Sequence, residues 1–480
     1  MSQTSSSSKL PNISDLRQDH PRLLFGKEQI DRLKDRQRSP LEKRYWKFLK
    51  EQGEARAQEP PLRFEKKGLR ILHLSREALS RISIWGLLYR IEGETSYIAR
   101  IQEEMKAIAA FPTWNPHHYL DVGEMSLALA IGLDWLWEEF SEEQRNAYLQ
   151  QLFQLGLEPS LDEDSPYNWW ITYQNNWNPV CHAGMVGAAL LYADVDPPLA
   201  EKIIRRAVVN LPTAQAETDP DGVYPEGPTY WKYGTHFTAI AISLLNHAFG
   251  HSFGLQDHQS FQKSIEFRAL SVTPTKKYYN YYDSREEVQF ASVSAFFVAS
   301  YENPLALQYF RQGLEKYLDE GIPLNGFNTG REFPFIAIWD PFPNLEAFND
   351  SSVALPRIWQ GRGENPVVFL CESHQNPESF YLGYKGGNAQ ISHAHMDSGS
   401  FIYEDEGVRW AIDLGMQDYI SLESKGVGIW DRRQVGDRWR IFRLGPYSHN
   451  QLLIEDQLHE IDGRALLEPV EEFGSMIQGT

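Results

Sequence analysis

Cysteine is nearly absent: Cys181 and Cys371 are the two in a chain of 480 residues. Two thiols cannot build a disulfide framework or a cysteine-based zinc site, so two free thiols are expected rather than one bridge. No apolar run approaches the roughly 18 residues of a membrane span, and no membrane partner is expected. The N-terminal stretch MSQTSSSSKLPNISDLRQDHPRLLF is Ser-rich and has no apolar h-region. As written, the chain therefore reads as cytoplasmic, and an incomplete N-terminus would make it periplasmic or secreted. Positive charge is also in short supply: 46 Lys and Arg stand against 65 Asp and Glu, a net charge of −19. Such a surface repels a phosphate backbone, which argues against nucleic acid as a partner, although a local basic pocket for an anionic substrate remains compatible with it. There is no G-x-x-x-x-G-K-S/T loop, no strand-linked G-x-G-x-x-G, no H-E-x-x-H and no G-x-S-x-G. These absences argue against a nucleotide enzyme, a zincin and an α/β-hydrolase.

Aromatic residues, by contrast, are plentiful, with 14 Trp, 23 Tyr and 25 Phe making up 13% of the chain. Their flat faces fill cores and stack on sugars and bases alike. The length implies two domains. Residues 1–20 read as a flexible arm. Residues 21–350 carry helical periods, as in EALSRISIWGLLYRIEG and the nearly all-apolar GEMSLALAIGLDWLWEEF of 123–140. Ser141 with Gln144 is a capping-box pattern. Further helices are expected at 180–194, 199–212, 234–249, 256–270 and 304–318. Their paired lengths point to a toroid or solenoid rather than a bundle. Residues 351–480 change character. VVFLC (367–371), SFYLGYKGG (379–387), SFIYED (400–405), VRWAID (408–413) and QLLIED (451–456) read as strands of an antiparallel sheet domain, one expected to be incomplete at its C-terminus.

Three stretches concentrate chemistry. NWWITYQNNWNPVCHAGM (168–185) sets Trp169, Trp170 and Trp177 beside Asn175, Asn176, Asn178 and His182. This is either a sugar-binding wall or a loop whose amides cap the next helix. DPDGVYPEGPTYWKYGTHF (219–237) places Tyr230, Tyr233 and His236 on roughly one helix face after an Asp-Gly and a Glu-Gly-Pro turn. A tyrosine at a pocket edge can transfer protons, and the alternative is aromatic packing at a helix start. ISHAHMDSGSFIYEDEGVRWAIDLG (391–415) alternates His393 and His395, which on a strand would point the same way, with Asp413 further on and His449 in YSHN. Imidazoles and a carboxylate suit zinc or a similar divalent ion, and the alternative is a set of hydrogen-bonded histidines on a sheet face.

Together with HPRLLFGKEQIDRLK (20–34) and HHYLDVGEMSLALAIGLDWLW (117–137), these motifs make the chain resemble the heparinase II/III-like polysaccharide lyases. That group includes relatives such as alginate and ulvan lyases and dermatan-sulfate epimerase. The resemblance runs over most of the chain and rests on the order and spacing of the motifs. It implies an α+β architecture, an incomplete (α/α) toroid followed by an antiparallel β-sandwich domain. It also implies β-elimination on a uronic-acid polysaccharide or oligosaccharide. In that reaction a group neutralises the uronate carboxylate, a base removes the C5 proton, and an acid protonates the departing O4.

By this resemblance Asn176 is the neutraliser, with Asn175 or Asn178 as fallback. Some relatives have His where this chain has Trp177, so the Asn-type arrangement is the one implied. Tyr230 is the catalytic tyrosine with Tyr233 in reserve, and His393 is the second proton-transfer group. His395, Asp413 and His449 match ligands of a zinc ion, or another divalent metal, with a structural role. Trp177, Asn175, Trp231, Glu226 and Arg438 are the expected substrate contacts, Arg438 lying in an Arg-rich stretch (424–443) that also offers Arg432, Arg433, Arg440 and Arg443. Trp169 and Trp170 are expected at the same cleft. The partner expected is an anionic uronate glycan, with a homodimer left open. Two other outcomes share parts of the site: C5 epimerisation through the same residues, and metal-dependent glycan hydrolysis, which would leave Tyr230 without a role.

Overall fold

The computed structural model describes residues 10–325, 330–347, 353–473 and 476–478. Its helices are α1 (Lys27–Asp35), α2 (Pro40–Ala57), α3 (Leu72–Glu92), α4 (Ser96–Ala109), α5 (Tyr119–Trp135), α6 (Glu142–Gln151), α7 (Trp177–Tyr192), α8 (Pro197–Ala216), α9 (Pro228–Phe249) and α10 (Gln259–Leu270). Four shorter or later ones follow: α11 (Ser294–Tyr301), α12 (Pro304–Glu320), α13 (Phe335–Trp339) and α14 (Phe342–Ala347). Helices α3, α5, α7 and α9 pack each on the next, while α4 rests on α3 and α8 on α7. This alternation is an open helical toroid. Helix α5 is the innermost, with every residue buried, which is why its sequence is apolar nearly all round. It meets α7 at a backbone contact: a Cβ on Gly184 would lie 2.1 Å from the Gly123 carbonyl oxygen, so only glycine allows the approach. The Ser141–Gln144 capping box forms in both directions at the start of α6, which ends in a widened turn at Leu152–Leu157.

The C-terminal region holds a five-stranded antiparallel meander: β1 (Ile358–Gly361), β2 (Val367–Cys371), β3 (Tyr381–Lys385), β4 (Phe401–Asp405) and β5 (Val408–Ala411). Strands β4 and β5 join through Glu406 and Gly407, both with positive φ, the tight hairpin turn that an acidic-Gly pair favours. A two-stranded ribbon, β6 (Glu471–Phe473) with β7 (Met476–Gln478), lies further on. Strand β2 is buried throughout, and Phe369 on it faces Phe267 of α10 at 6.3 Å. Tyr381 donates to the Leu270 carbonyl at 3.0 Å, so the sheet is bonded as well as packed against the toroid. Cys181 and Cys371 are both free and buried. No helix among the described residues is long and apolar enough to cross a membrane.

Three local expectations change. QLLIED is not a strand: its backbone bonds within turns, Gln457 N to the Ile454 carbonyl, and Leu452 and Ile454 are exposed. A strand-like pattern forms a strand only where a neighbour completes the ladder. The H-x-H segment also lies in a loop between β3 and β4 rather than on a strand, with His393 at φ 62°. The third change concerns the N-terminal arm, whose residues 1–9 fall outside the described set. Residues 10–20 are fastened to the toroid: Arg17 N donates to the Ala248 carbonyl at 2.9 Å, and His20 stacks on Trp137 with ring centroids 3.6 Å apart.

The His20 Nδ1 lies 2.6 Å from Asp134 and its Nε2 3.1 Å from Asp194. Burial opposes the charged imidazole, but the two carboxylates outweigh it and raise the pKa above 6.5. A group raised in the folded state contributes stability below its unfolded pKa and loses it as pH climbs through the folded one. Wild-type thermal stability is therefore expected to fall relative to His20→Gln between mildly acidic and alkaline pH, measured as the difference between their melting curves. Parallel curves would remove His20 from the fastening.

Candidate active site

A cleft of about 1280 Å³ runs between the toroid and the C-terminal region. The toroid wall comes from the loop before α3, the start of α7 and the start of α9. The facing wall comes from the H-x-H loop and residues 416–432. Nine Lys or Arg and five Asp or Glu line it, so the cleft is locally basic on a chain of net charge −19.

Tyr230 sits in the first turn of α9, after Gly227, whose φ of 91° starts the helix. A Cβ on Gly227 would lie 2.6 Å from Ser284 Oγ, so the Glu-Gly-Pro turn needs glycine there. The Tyr230 ring stacks on the His393 imidazole at 3.8 Å and 16°. Its hydroxyl lies 2.9 Å from that of Tyr419, which is 3.2 Å from His393 Nδ1. Burial, and then the charge of Asp283, push the Tyr230 pKa up, while the hydrogen bond with Tyr419 pulls it down. His393 Nδ1 also meets Asp283 Oδ2 at 3.1 Å. A non-glycine residue held at positive φ in a cleft is the kind of strain that surrounding contacts must hold in place, and Asp283, Tyr230 and Tyr419 supply them.

Asn176 and Asn175 line the cleft at the start of α7. Asn176 is almost fully buried, and its backbone N and Nδ2 both donate to Glu226, the latter at 3.0 Å to each oxygen. Glu226 is therefore not a substrate contact on the cleft wall: it is buried behind Asn176 and fixes the amide. Asn175 Oδ1 accepts from Trp177 N at 3.0 Å, and its Nδ2 reaches Ser392 Oγ at 3.4 Å across the cleft. Asn178 is a packing residue, donating to the Ile171 and Asn210 carbonyls. Trp177 faces the cleft beside Trp169 and His118, with ring centroids 4.7 Å from each.

The structure corrects several other assignments. Trp231 is fully buried against Phe297 and the Arg268 guanidinium, because one residue beyond Tyr230 the helix has turned by about 100°, away from the cleft and into the core. Trp170 is likewise buried, stacked on Tyr119. Tyr233 lines the cleft but is buried with its hydroxyl on Glu124 at 2.7 Å, braced by Arg76 and Arg331 on its ring. His236 points into the core, where burial lowers its pKa to about 3. Arg438 has no solvent exposure; it donates to Asp283 at 3.0 Å and to the Ala394 carbonyl, so it holds the H-x-H loop rather than reaching for an anion.

Asp283, like Tyr419, lies outside the motifs that the sequence singles out. One oxygen meets His393, the other meets His395 Nε2 at 3.0 Å, and Arg438 neutralises it. Burial raises its pKa, but the Arg438 charge and the two histidine hydrogen bonds outweigh that and hold it well below the usual carboxylate range.

Behind this pair lies the candidate metal centre. Ligand atoms of His395, Asp397 and His449 lie within 4.8 Å of one another, and all three residues are buried. His395 Nδ1, Asp397 Oδ2 and His449 Nε2 have no hydrogen-bond partner, an arrangement that leaves three donor atoms open to a cation. Asp413, expected as the carboxylate ligand, stands behind His449 instead. Its Oδ2 accepts from His449 Nδ1 at 2.8 Å and its Oδ1 from Gly415 N at 2.7 Å, so both oxygens are engaged. Asp397 supplies the open carboxylate, although its other oxygen pairs with the buried Lys385 at 2.9 Å. Burial lowers the His395 pKa, keeping the ring neutral as a ligand requires.

The helical toroid with an antiparallel sheet packed on it is a fold that the chain shares with a solved polysaccharide-degrading enzyme, heparinase III. The chain is similar to the crystal structure of heparinase III, with a TM-score of 0.52 at 16% identity over 83% of this chain. The match covers 57% of the heparinase III chain, so this chain spans little more than half of that length. A second heparinase III gene product matches at TM-score 0.48 and 13% identity over 98% of this chain and 67% of its own. A heparan sulfate lyase HepC mutant from Pedobacter heparinus matches at TM-score 0.42 and 14% identity over 89% and 62%. No protein-family model and no curated protein sequence matches the chain.

Proposed function

We propose that the protein is a glycan lyase that cleaves a uronate-containing polysaccharide or oligosaccharide by β-elimination. The observation that carries this reading is the stacked Tyr230–His393 pair, tied through Tyr419 and placed near Asn176, in a basic cleft. The C5 proton of a uronate is only weakly acidic, because its loss puts charge next to a carboxylate. Asn176, with its amide oriented by Glu226, offers hydrogen to that carboxylate and makes the enolate-like intermediate accessible. Tyr230 transfers the proton. With His393 Nδ1–H directed at Asp283 and Tyr419, the Tyr419 hydroxyl is free to donate to Tyr230 and stabilise its phenolate form; protonated Tyr230 can in turn protonate the departing O4. Asp283 fixes the orientation of His393, and the other ring nitrogen, Nε2, which lies 3.7 Å from the Glu226 carboxylate, is the one assigned to proton transfer.

His395, Asp397 and His449 fit a zinc or similar divalent ion through their open N and O atoms, with Asp413 and Asp283 each bonded to the far nitrogen of a histidine ligand. When bound, such an ion would supply a fixed positive charge that clamps the H-x-H loop to His449. The three residues do not line the cleft, which favours a structural ion over one that activates water for hydrolysis. His395→Ala is expected to lose bound metal, read by elemental analysis, and melting temperature together. Equal metal content in the variant would remove His395 from the site.

The reading is tested by incubating the protein with alginate, ulvan, pectate and heparan, chondroitin and dermatan sulfates. Elimination leaves a C4–C5 double bond conjugated with the carboxylate, which absorbs in the ultraviolet. C5 epimerisation through the same residues would instead exchange the C5 hydrogen with solvent and leave the chain intact.

A further inference from the structure

A short arm of the C-terminal region crosses the cleft. It contains α15 (Tyr419–Glu423), which Asp418 caps by accepting from Ser421 N at 2.7 Å. Arg443 holds the base of the arm through the carbonyls of Leu414 and Met416, at 2.8 and 3.2 Å. At the far end of α15, Glu423 Oε1 accepts from two donors. Arg70 Nη2 reaches it at 2.6 Å from the loop before α3, on the toroid wall, and Trp430 Nε1 reaches it at 3.0 Å from the arm itself. The Trp430 indole stands edge-on to His393 at 5.6 Å and to Tyr419 at 4.9 Å. The carboxylate that binds the toroid thus also holds an aromatic ring against two groups of the proton relay.

Resting on the lyase reading above, we propose that Arg70 and Glu423 form a latch that holds the arm across the cleft and sets the length of glycan that reaches Tyr230 and His393. A carboxylate or sulfate on the glycan has the same chemistry as Glu423 and competes with it for Arg70. A chain end or short oligosaccharide passes beneath the closed arm, whereas the interior of a long chain enters when the latch is open. The two side chains are 21% and 15% exposed, so the pair still meets solvent and an anion entering the cleft can reach Arg70.

The test uses the whole chain and two variants, Glu423→Gln and Arg70→Gln. Without substrate, amide hydrogen exchange of residues 416–432 is expected to quicken in both variants by roughly two- to five-fold, the range that a partly exposed ion pair supplies. On uronate glycans the ratio of kcat/KM for polymer to that for a short oligosaccharide is expected to rise by a similar factor. Unchanged exchange in both variants overturns the latch. Faster exchange with an unchanged ratio overturns its control of chain length. If no glycan yields ultraviolet absorbance the lyase reading fails, and the exchange measurement still decides on the latch.

Discussion

Tyr230→Phe is expected to lower the rate of ultraviolet-absorbing product by roughly 10²- to 10⁴-fold, the range that a positioned proton-transfer group supplies. The substitution removes one oxygen. The ring that stacks on His393 stays, and so does the helix start that presents it. What is lost is the hydrogen bond with Tyr419, about 0.5–1.5 kcal/mol of stability at most. The variant therefore separates chemistry from folding, with activity collapsing while the melting curve barely moves. Tyr233→Phe is the matched control. Its hydroxyl is committed to Glu124 and lies outside the Tyr230–Tyr419–His393 relay. If Tyr230→Phe retained wild-type activity, the proton transfer assigned to Tyr230 would be wrong.

The second large effect is expected at Asp283. Asp283→Ala should cost about 3–5 kcal/mol in denaturant unfolding, because it strands the fully buried Arg438 without its counter-charge and leaves His393 and His395 unanchored. Asp283→Asn keeps the volume and part of the hydrogen bonding, so it should fold with a smaller loss. Its amide can present an N–H to His393 Nδ1, however, which favours the wrong imidazole tautomer. Product formation is expected to fall by at least about a hundred-fold in a protein that still melts cooperatively. An Asn variant with wild-type turnover would show that Asp283 is a packing residue alone.

How far the sequence disclosed this site depends on the kind of signal each residue leaves. The toroid helices are legible because α5 is apolar on every face and α6 carries its capping box in four residues. Tyr230, His393 and Asn176 stand inside short motifs, and all three line one cleft. Trp231 and Trp170 carry the same aromatic signal but are rotated away from the cleft on their own turns; composition does not encode helix phase, so they read as cleft residues while being core. Tyr419 and Asp283 leave almost no local mark. The first meets Tyr230 across 189 residues of sequence, and the second meets His393 across 110. Only the packing of the C-terminal region on the toroid brings them together. The resemblance points to Asp413 as the carboxylate beside the two histidines, whereas in the fold both Asp413 oxygens are engaged and Asp397 Oδ2, two residues after His395, has no hydrogen-bond partner.

The central claim is elimination at a uronate, and product absorbance tests it most directly. The account predicts that purified protein, incubated with the panel of uronate glycans, generates new ultraviolet absorbance from at least one of them, and that Tyr230→Phe does not. Cleavage of a glycan into shorter chains without that absorbance would mean hydrolysis and would contradict it.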